Sequence, residues 1–180
     1  MLAHDFGWPQ LIALLILAQR GLEELYSIRN TRALEARGGT EVGSSYYPVV
    51  LVAHLSWIAA LFLMISPDAE VSPALGAIYL ALQCVRYWVI ASLGPYWTHR
   101  IITLHGAPTV ERGPYKLIRH PNYCVTIIET FLLPMVFGAI ALGVIMGAIW
   151  AAVLYYKIVL EDAALSKRRP SALLLISRAG

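Results

Sequence analysis

Charged residues are scarce in this sequence. Only 14% of the 180 residues are charged, against about 25% in typical soluble domains. Hydrophobic residues make up 58% of the chain, and the mean hydropathy is +0.63. A chain of this length has room for roughly four to six spanning helices of about 20 residues each. We therefore predict an all-α integral membrane protein.

Familiar catalytic and metal-binding patterns are also missing. The sequence has no HExxH, P-loop or G-x-S-x-G pattern, so zinc proteolysis, NTP hydrolysis and esterase chemistry lack support. Cys84 and Cys124 form no metal or disulfide spacing, and we expect no metal site. The net charge of +3 is spread over several loops, which argues against a nucleic-acid partner. No basic segment precedes the first apolar run, so no signal peptide is expected.

Apolar runs predict about five transmembrane helices in one domain that covers residues 1–180. The fourth run is short for a span of about 20 residues, and we predict that the last two form a hairpin turning near Pro134–Gly138. The first run begins near Trp8 and continues through Leu11–Ala18, and the others are Pro48–Ile65, Pro73–Leu93, Tyr123–Phe137 and Gly138–Leu160.

The basic residues predict an orientation. Nearly all of them lie in Ser27–Tyr47, in Gly94–Asn122 and in the C-terminal tail. The N-terminus before Trp8 and the turn Ser66–Ser72 contain no Lys or Arg. Alternating spans bring the basic segments to one side, which the positive-inside rule places in the cytoplasm. The N-terminus is then outside and the C-terminus inside.

Ionisable residues interrupt three of the apolar runs. His54, Arg86 and Glu129 each lie roughly 9–11 Å below the cytoplasmic interface at a rise of about 1.5 Å per residue. Such groups are costly when they face lipid, so they should face each other or a wet cavity. One interpretation is a structural Arg86–Glu129 ion pair with His54 as a polar neighbour. The other is a cytoplasm-facing cavity for an amphiphile.

The stretch Gly113–Tyr123, called here the central motif, combines turn-forming, basic and aromatic residues just before an apolar run. Pro121 suits the first turn of a helix. The amides after Pro121 would point free donors towards Arg119 and His120. This arrangement could bind a small polar ligand, with its carboxylate near Arg119, its ring on Tyr115 or Tyr123 and its amino group at Glu161. The alternative is an interfacial anchor.

The central motif also carries a resemblance to a known family. Gly113-Pro114-Tyr115, Arg119-His120-Pro121-Asn122-Tyr123 and the later Glu161-Asp162 resemble the isoprenylcysteine carboxyl methyltransferase family over roughly Leu93–Leu165. Related phospholipid N-methyltransferases share this signature, and sterol reductases share it more loosely. Segments of the N-terminal half resemble a bacterial branch that O-methylates alkylpyrones, which would place the protein in a bacterial inner membrane. They are Arg29-Asn30, Ala36-Arg37-Gly38-Gly39, Tyr47-Pro48 and His54.

The resemblance implies S-adenosylmethionine as cofactor, bound in a core of residues 93–165. Its methyl group would pass to a carboxylate or enol oxygen of a lipophilic or prenylated acceptor at the membrane. We assign Arg86 to the acceptor anion, His54 to a hydrogen bond with it, and Glu129 to orienting Arg86 or accepting a proton. The cofactor-binding candidates are Val110, Gly113, Tyr115, Arg119, His120, Tyr123 and Glu161.

One departure from the family concerns Lys157, which stands where the family usually has Arg. The planar, bidentate fork of Arg is replaced by a point charge, so a carboxylate clamp at this position is not assured. Three other functions stay open at this point: a phospholipid N-methyltransferase, a sterol-type reductase that uses NADPH, and a non-catalytic membrane adaptor.

Overall fold

The computed structural model describes residues 6–107 and 110–168, and the C-terminal tail from Arg169 lies outside this part. The described chain is built from helices, which confirms the predicted all-α class. The helices are α1 (Trp8–Glu35), α2 (Tyr47–Met64), α3 (Pro73–Leu93), α4 (Pro121–Val136) and α5 (Ile140–Arg168). Two short strands, β1 (Thr40–Val42) and β2 (Ile101–Thr103), and 3₁₀ turns at Ser44–Tyr46, Gly94–Tyr96 and Gly113–Lys116 complete it.

Proline residues mark the beginnings of several helices. α3 begins at Pro73 and α4 begins at Pro121. Proline fits there because the first amides of a helix have no intrahelical acceptor. The Ser72 hydroxyl caps α3 by accepting a hydrogen bond from the Leu75 amide at 3.5 Å. The start of α4 at Pro121 agrees with the prediction for the central motif.

Helix α1 extends further than its apolar run. It continues to Glu35 through a segment that we expected to be a polar connection from Ser27 onward. Two of its polar residues are buried because they bind the chain after α3. The Asn30 amide donates to the carbonyl oxygens of Gly94 and Trp97 at 3.1 and 2.9 Å. The Ser27 hydroxyl accepts from the His99 amide at 2.8 Å.

Strands β1 and β2 form an antiparallel pair that the sequence did not predict. Thr40 lies opposite Thr103, and Val42 lies opposite Ile101. The hydroxyl oxygens of the two threonines are 2.9 Å apart. Each strand has only three residues, which is too short for a recognisable alternation. The pair fixes the chain after α1 against the chain after α3.

Three stretches of the described chain are long and apolar enough to cross a membrane: Ser44–Met64, Pro73–Tyr96 and Ile140–Glu161. Helix α4 is apolar but has only 16 residues. Helices α4 and α5 are separated by 137–139 and pack against each other. The chain is thus an integral membrane protein, whereas the count of five spans and the transmembrane hairpin stay predictions.

The core lies between α1, α2, α3 and α4. Trp57 and Leu61 of α2 pack there with Tyr79 of α3 and Leu133 of α4. Large apolar side chains also cover the outer surface of the helices. This surface is suited to contact with lipid tails, because lipid tails are as apolar as these side chains and exposure to them carries no hydrophobic penalty. Examples are Leu14, Val52, Leu63, Leu80 and Ile145.

Candidate functional site

A cavity of about 190 Å³ lies where the chain after α3, the central motif, the start of α4 and the end of α5 meet. Its walls combine apolar, aromatic, hydroxyl and charged side chains. They are Leu93, Tyr96, Trp97, Thr98, Arg100, Ile101, Ile102, Thr103, Tyr115, His120, Asn122, Tyr123 and Glu161.

Four of the predicted cofactor-binding residues line this cavity: Tyr115, His120, Tyr123 and Glu161. The imidazole of His120 stacks on the Tyr123 ring, with centroids 5.2 Å apart and planes 11° apart. His120 Nδ1 lies 3.8 Å from Glu161 Oε2. The end of α5 therefore returns to the start of α4, so that residues about forty positions apart share one wall.

The other three candidates lie outside the lining. Val110 is half-buried in the loop before the central motif, and Arg119 is exposed. Gly113 adopts a positive φ of 56° and packs against Ser92 of α3. Gly113 therefore helps shape the motif, and direct ligand contacts for these three residues stay predictions.

Three buried polar atoms at the cavity lack hydrogen-bond partners among the described residues and are available to a ligand. Tyr115 Oη, His120 Nε2 and Asn122 Oδ1 are buried and have no hydrogen-bond partner among the described residues. An unpaired buried polar group costs about 1–3 kcal/mol, which a suitable ligand would offset. Burial also raises the pKa of the Tyr115 hydroxyl above its usual range, so this group stays protonated and can donate.

The chemistry of these side chains suits the S-adenosylmethionine that the resemblance implies. Its hydroxyl groups and ring nitrogens would be partners for the unpaired atoms, and its ammonium group would complement the Glu161 carboxylate. Small-molecule pockets usually measure about 300–1,000 Å³, and the cavity of about 190 Å³ is smaller. A cavity of this volume holds only part of a ligand the size of S-adenosylmethionine.

Arg86 and Glu129 lie outside the cavity, in a buried cluster of two Arg and two Glu side chains. Glu129 Oε2 accepts from Arg20 Nη2 at 2.8 Å and from Arg86 Nη1 at 2.9 Å. Glu23 is the fourth member: its Oε2 accepts from Arg20 Nη1 at 2.8 Å, and its Oε1 accepts from Arg86 Nε at 2.7 Å. We call this cluster the charge tetrad. Its formal charges cancel, as burial among helices requires.

The charge tetrad occupies all three guanidinium nitrogens of Arg86: Nε and Nη2 donate to Glu23, and Nη1 donates to Glu129. The geometry thus contains the predicted ion pair and enlarges it by Arg20 and Glu23. Every nitrogen of Arg86 thus already donates to a carboxylate of the tetrad. The arrangement favours a structural role, and the catalytic assignments of Arg86 and Glu129 stay predictions.

Among the described residues, His54 forms no ion pair with the charge tetrad and does not belong to the cavity lining. Its ring makes an edge contact with Trp150 of α5, with centroids 4.2 Å apart. Trp150 belongs to a packed cluster with Tyr46, Val50, Tyr123 and Leu154. Tyr123 of the same cluster lines the cavity, so the packed cluster that His54 contacts through Trp150 also contributes to the cavity wall.

An apolar groove of about 460 Å³ runs between α2 and α5. The aromatic cluster that lies next to the cavity also packs against Ala53 and Val153 of this groove. The polar cavity and the apolar groove therefore adjoin the same packed side chains. The groove is lined by Pro48, Val49, Val52, Ala53, Ser56, Met146, Ile149 and Val153.

The contacts that hold the cavity wall were not predicted from the sequence. Glu24 accepts a hydrogen bond from the Tyr47 hydroxyl at 2.6 Å and lies 2.6 Å from His99 Nδ1. Burial lowers the pKa of the His99 imidazole below its usual range, although the Glu24 carboxylate opposes this. Because a carboxylate can only accept, Nδ1 is the donor in this contact with Glu24. Lys157 Nζ donates to the His99 carbonyl at 2.9 Å, which joins α5 to the same loop.

Comparisons with known proteins match one family model and two bacterial relatives. The family model described as isoprenylcysteine carboxyl methyltransferase matches residues 74–167. A relative in Bacillus subtilis strain 168, described as uncharacterized protein YpbQ, is 36% identical over 161 residues, covering 87% of this chain and 95% of the relative. An uncharacterized protein of Haemophilus influenzae is 26% identical over 162 residues, covering 87% and 94% of the two chains. No solved structure matches the chain.

Proposed function

Because the chain belongs to the isoprenylcysteine carboxyl methyltransferase family, we propose that it uses S-adenosylmethionine to methylate a carboxylate or enol oxygen of a lipophilic acceptor at the cytoplasmic membrane face. Family membership makes it a membrane methyltransferase in general terms, and it confirms the resemblance carried by the central motif. The alkylpyrone branch stays a prediction. The observation that carries the proposal is the cavity in which Tyr115, His120 and Asn122 present unpaired polar atoms beside Glu161.

Different residues of the cavity would bind different groups of the cofactor. Glu161 would bind the ammonium group, while His120 and Asn122 would hydrogen-bond the polar edge of the nucleoside. The aromatic face of Tyr115 or Tyr123 would cover its ring. When bound, S-adenosylmethionine supplies an electrophilic methyl group on a positively charged sulfur. The protein's part is to bind and orient this group.

The acceptor oxygen needs little activation. A carboxylate or an acidic enol is already ionised near pH 7, so catalysis would consist mostly of aligning donor and acceptor. Excluding water would strengthen the attraction between the anionic oxygen and the positive sulfur. The apolar tail of a prenylated or alkyl-chain acceptor would lie in the groove between α2 and α5, which adjoins the cavity through the Tyr123–Trp150 cluster.

Calorimetric titration of the detergent-purified protein with S-adenosylmethionine tests the proposal. We expect affinity in the micromolar range for the wild type. His120→Ala and Glu161→Ala should each weaken binding by about tenfold or more, because each removes a charged or polar contact worth roughly 1.5–3 kcal/mol. His105→Ala and Glu70→Ala are matched controls, since both residues are exposed and lie outside the cavity lining.

Absence of binding by the folded wild type would contradict the proposal and favour a membrane adaptor. Turnover that depends on NADPH would instead indicate a sterol-type reductase. Methylation of a phospholipid amine would agree with the proposed S-adenosylmethionine site and would contradict the proposed oxygen acceptor.

A further inference from the structure

We propose that Arg100 is the anion-binding side chain of the cavity, where it receives a ligand carboxylate opposite Glu161. The sequence pointed to Arg119 for this role, yet Arg119 is exposed and does not line the cavity. Of the described residues that line it, Arg100 alone is a Lys or Arg. The inference rests on the proposed methyltransferase function and adds the group that determines where the ligand's negative charge lies.

The guanidinium of Arg100 is held in a fixed plane. Its Nη1 donates to both carboxylate oxygens of Glu41 on β1, at 3.0 and 2.9 Å. Its carbon Cζ lies 4.4 Å from the centroid of the Tyr47 ring. The backbone at Arg100 is held as well, because the Thr98 hydroxyl donates to the Arg100 carbonyl at 2.5 Å. A preorganised Arg loses less side-chain entropy when it binds a ligand.

One edge of this guanidinium is unused. Nε and Nη2 of Arg100 make no hydrogen bond to any residue that the structure describes. Two parallel N–H donors on one edge match the two oxygens of a carboxylate. The relative solvent exposure of the Arg100 side chain is 34%, so a ligand can reach this edge.

The cavity thus presents both signs of charge, from two different segments of the chain. Arg100 enters from the chain after α3, and Glu161 enters from α5. A ligand with a carboxylate and an ammonium group is complementary to this pair. The carboxylate could belong to the amino-acid part of the cofactor or to the acceptor, and the two sources share one chemistry.

Binding measurements with Arg100→Gln distinguish the two sources. S-adenosylhomocysteine carries the amino-acid carboxylate, and methylthioadenosine lacks it. If Arg100 binds the cofactor, the variant should lose about tenfold or more in affinity for S-adenosylhomocysteine and keep its affinity for methylthioadenosine. If Arg100 binds the acceptor, both nucleosides should bind normally, and an S-prenylated N-acetylcysteine should lose affinity whereas its methyl ester should not.

Three further variants separate a direct contact from a structural one. Glu41→Gln breaks the ion pair of Arg100 with Glu41 but does not remove the guanidinium. This variant should therefore lose much less affinity than Arg100→Gln. Arg100→Lys keeps the charge without the bidentate fork and should be intermediate. Arg32→Gln removes an exposed cation at the end of α1 and should bind like the wild type.

Equal affinities of Arg100→Gln and the wild type for all four probes would overturn the inference, and so would an equal loss in Glu41→Gln. Normal wild-type binding of S-adenosylhomocysteine in that experiment would leave the proposed function intact. A folded wild type that binds none of the probes would contradict both.

Discussion

Gly113 shows how one residue shapes the central motif. Its φ of 56° lies in the left-handed region, where residues with a Cβ are strained. A Cβ at this position would overlap the Ser92 side chain and approach Trp88 Nε1 to 3.2 Å. The 3₁₀ turn Gly113–Lys116 can therefore pack closely on α3 only with glycine at its start.

We expect Gly113→Ala to destabilise the protein by about 1–3 kcal/mol, because backbone strain and overlap with Ser92 add up. The displaced turn should also weaken binding of S-adenosylmethionine. Thermal unfolding in detergent and calorimetry measure the two effects. Gly21→Ala is the control, since a Cβ there meets nothing within 4 Å. Equal melting temperatures for both variants would contradict this account.

Single residues also show what the sequence could predict of the site. Tyr115, His120, Tyr123 and Glu161 were identified through the family resemblance, and they do line one cavity. Arg100 gave no such signal. Its position depends on a backbone that is fixed at a distance, through the hydrogen bond of His99 to Ser27 on α1. Contacts of this kind leave no periodicity or spacing in the sequence.

Among the helices, the charge tetrad joins α1, α3 and α4. Glu129 is fully buried and accepts hydrogen bonds from Arg20, Arg86 and Gln83. A balanced network of this kind contributes less to stability than its Coulomb energy suggests, because the charges lose their hydration. Loss of one member is different, since it leaves an uncompensated charge among apolar helices.

A double-mutant cycle tests this property of the tetrad. Arg86→Met and Glu129→Leu should each lower the free energy of unfolding by about 3–5 kcal/mol. The double variant should lose clearly less than the sum, because Arg20 and Glu23 still form a neutral pair at 2.8 Å. Unfolding in mixed micelles measures the coupling. Arg29→Met, at an exposed position of α1, should have little effect, and strictly additive losses would refute the coupling.

The boundaries of the helices were predictable to different degrees. Pro73 and Pro121 mark helix starts by a local rule, and α3 and α4 begin at these residues. The end of α1 was not predictable in this way. Its last two turns bury the polar residue Asn30, which binds the carbonyl oxygens of Gly94 and Trp97. The sequence pattern of this polar segment is typical of a loop. In the structure it is helical, and its buried polar side chain has partners that are distant in the chain.

For the whole molecule, membrane orientation is the central prediction. The basic segments and the cavity are expected on the cytoplasmic side, and the turn before α3 is expected outside. Asp68 is exposed in that turn, and Lys116 is exposed in the central motif. One crossing by α3 would place these two positions on opposite sides of the membrane.

Cysteine labelling in intact cells measures this orientation. In a background with Cys84→Ser and Cys124→Ser, Asp68→Cys should react with a membrane-impermeant maleimide. Lys116→Cys should react only after the membrane is permeabilised, because the cytoplasmic face is protected. The opposite pattern would reverse the orientation, and equal labelling of both in intact cells would contradict the crossing by α3.

The position of the tetrad in the chain has a consequence for biosynthesis. Arg20 and Glu129 are 109 residues apart, and a chain is made from its N-terminus. Before α4 is made, the chain contains α1, α2 and α3. At that stage Arg20 and Arg86 face Glu23 alone, and the charge tetrad carries one excess positive charge. Helix α4 removes this charge through Glu129 and also carries Asn122 and Tyr123 of the cavity. Insertion of one helix therefore neutralises the core and begins the assembly of the cavity in the same event.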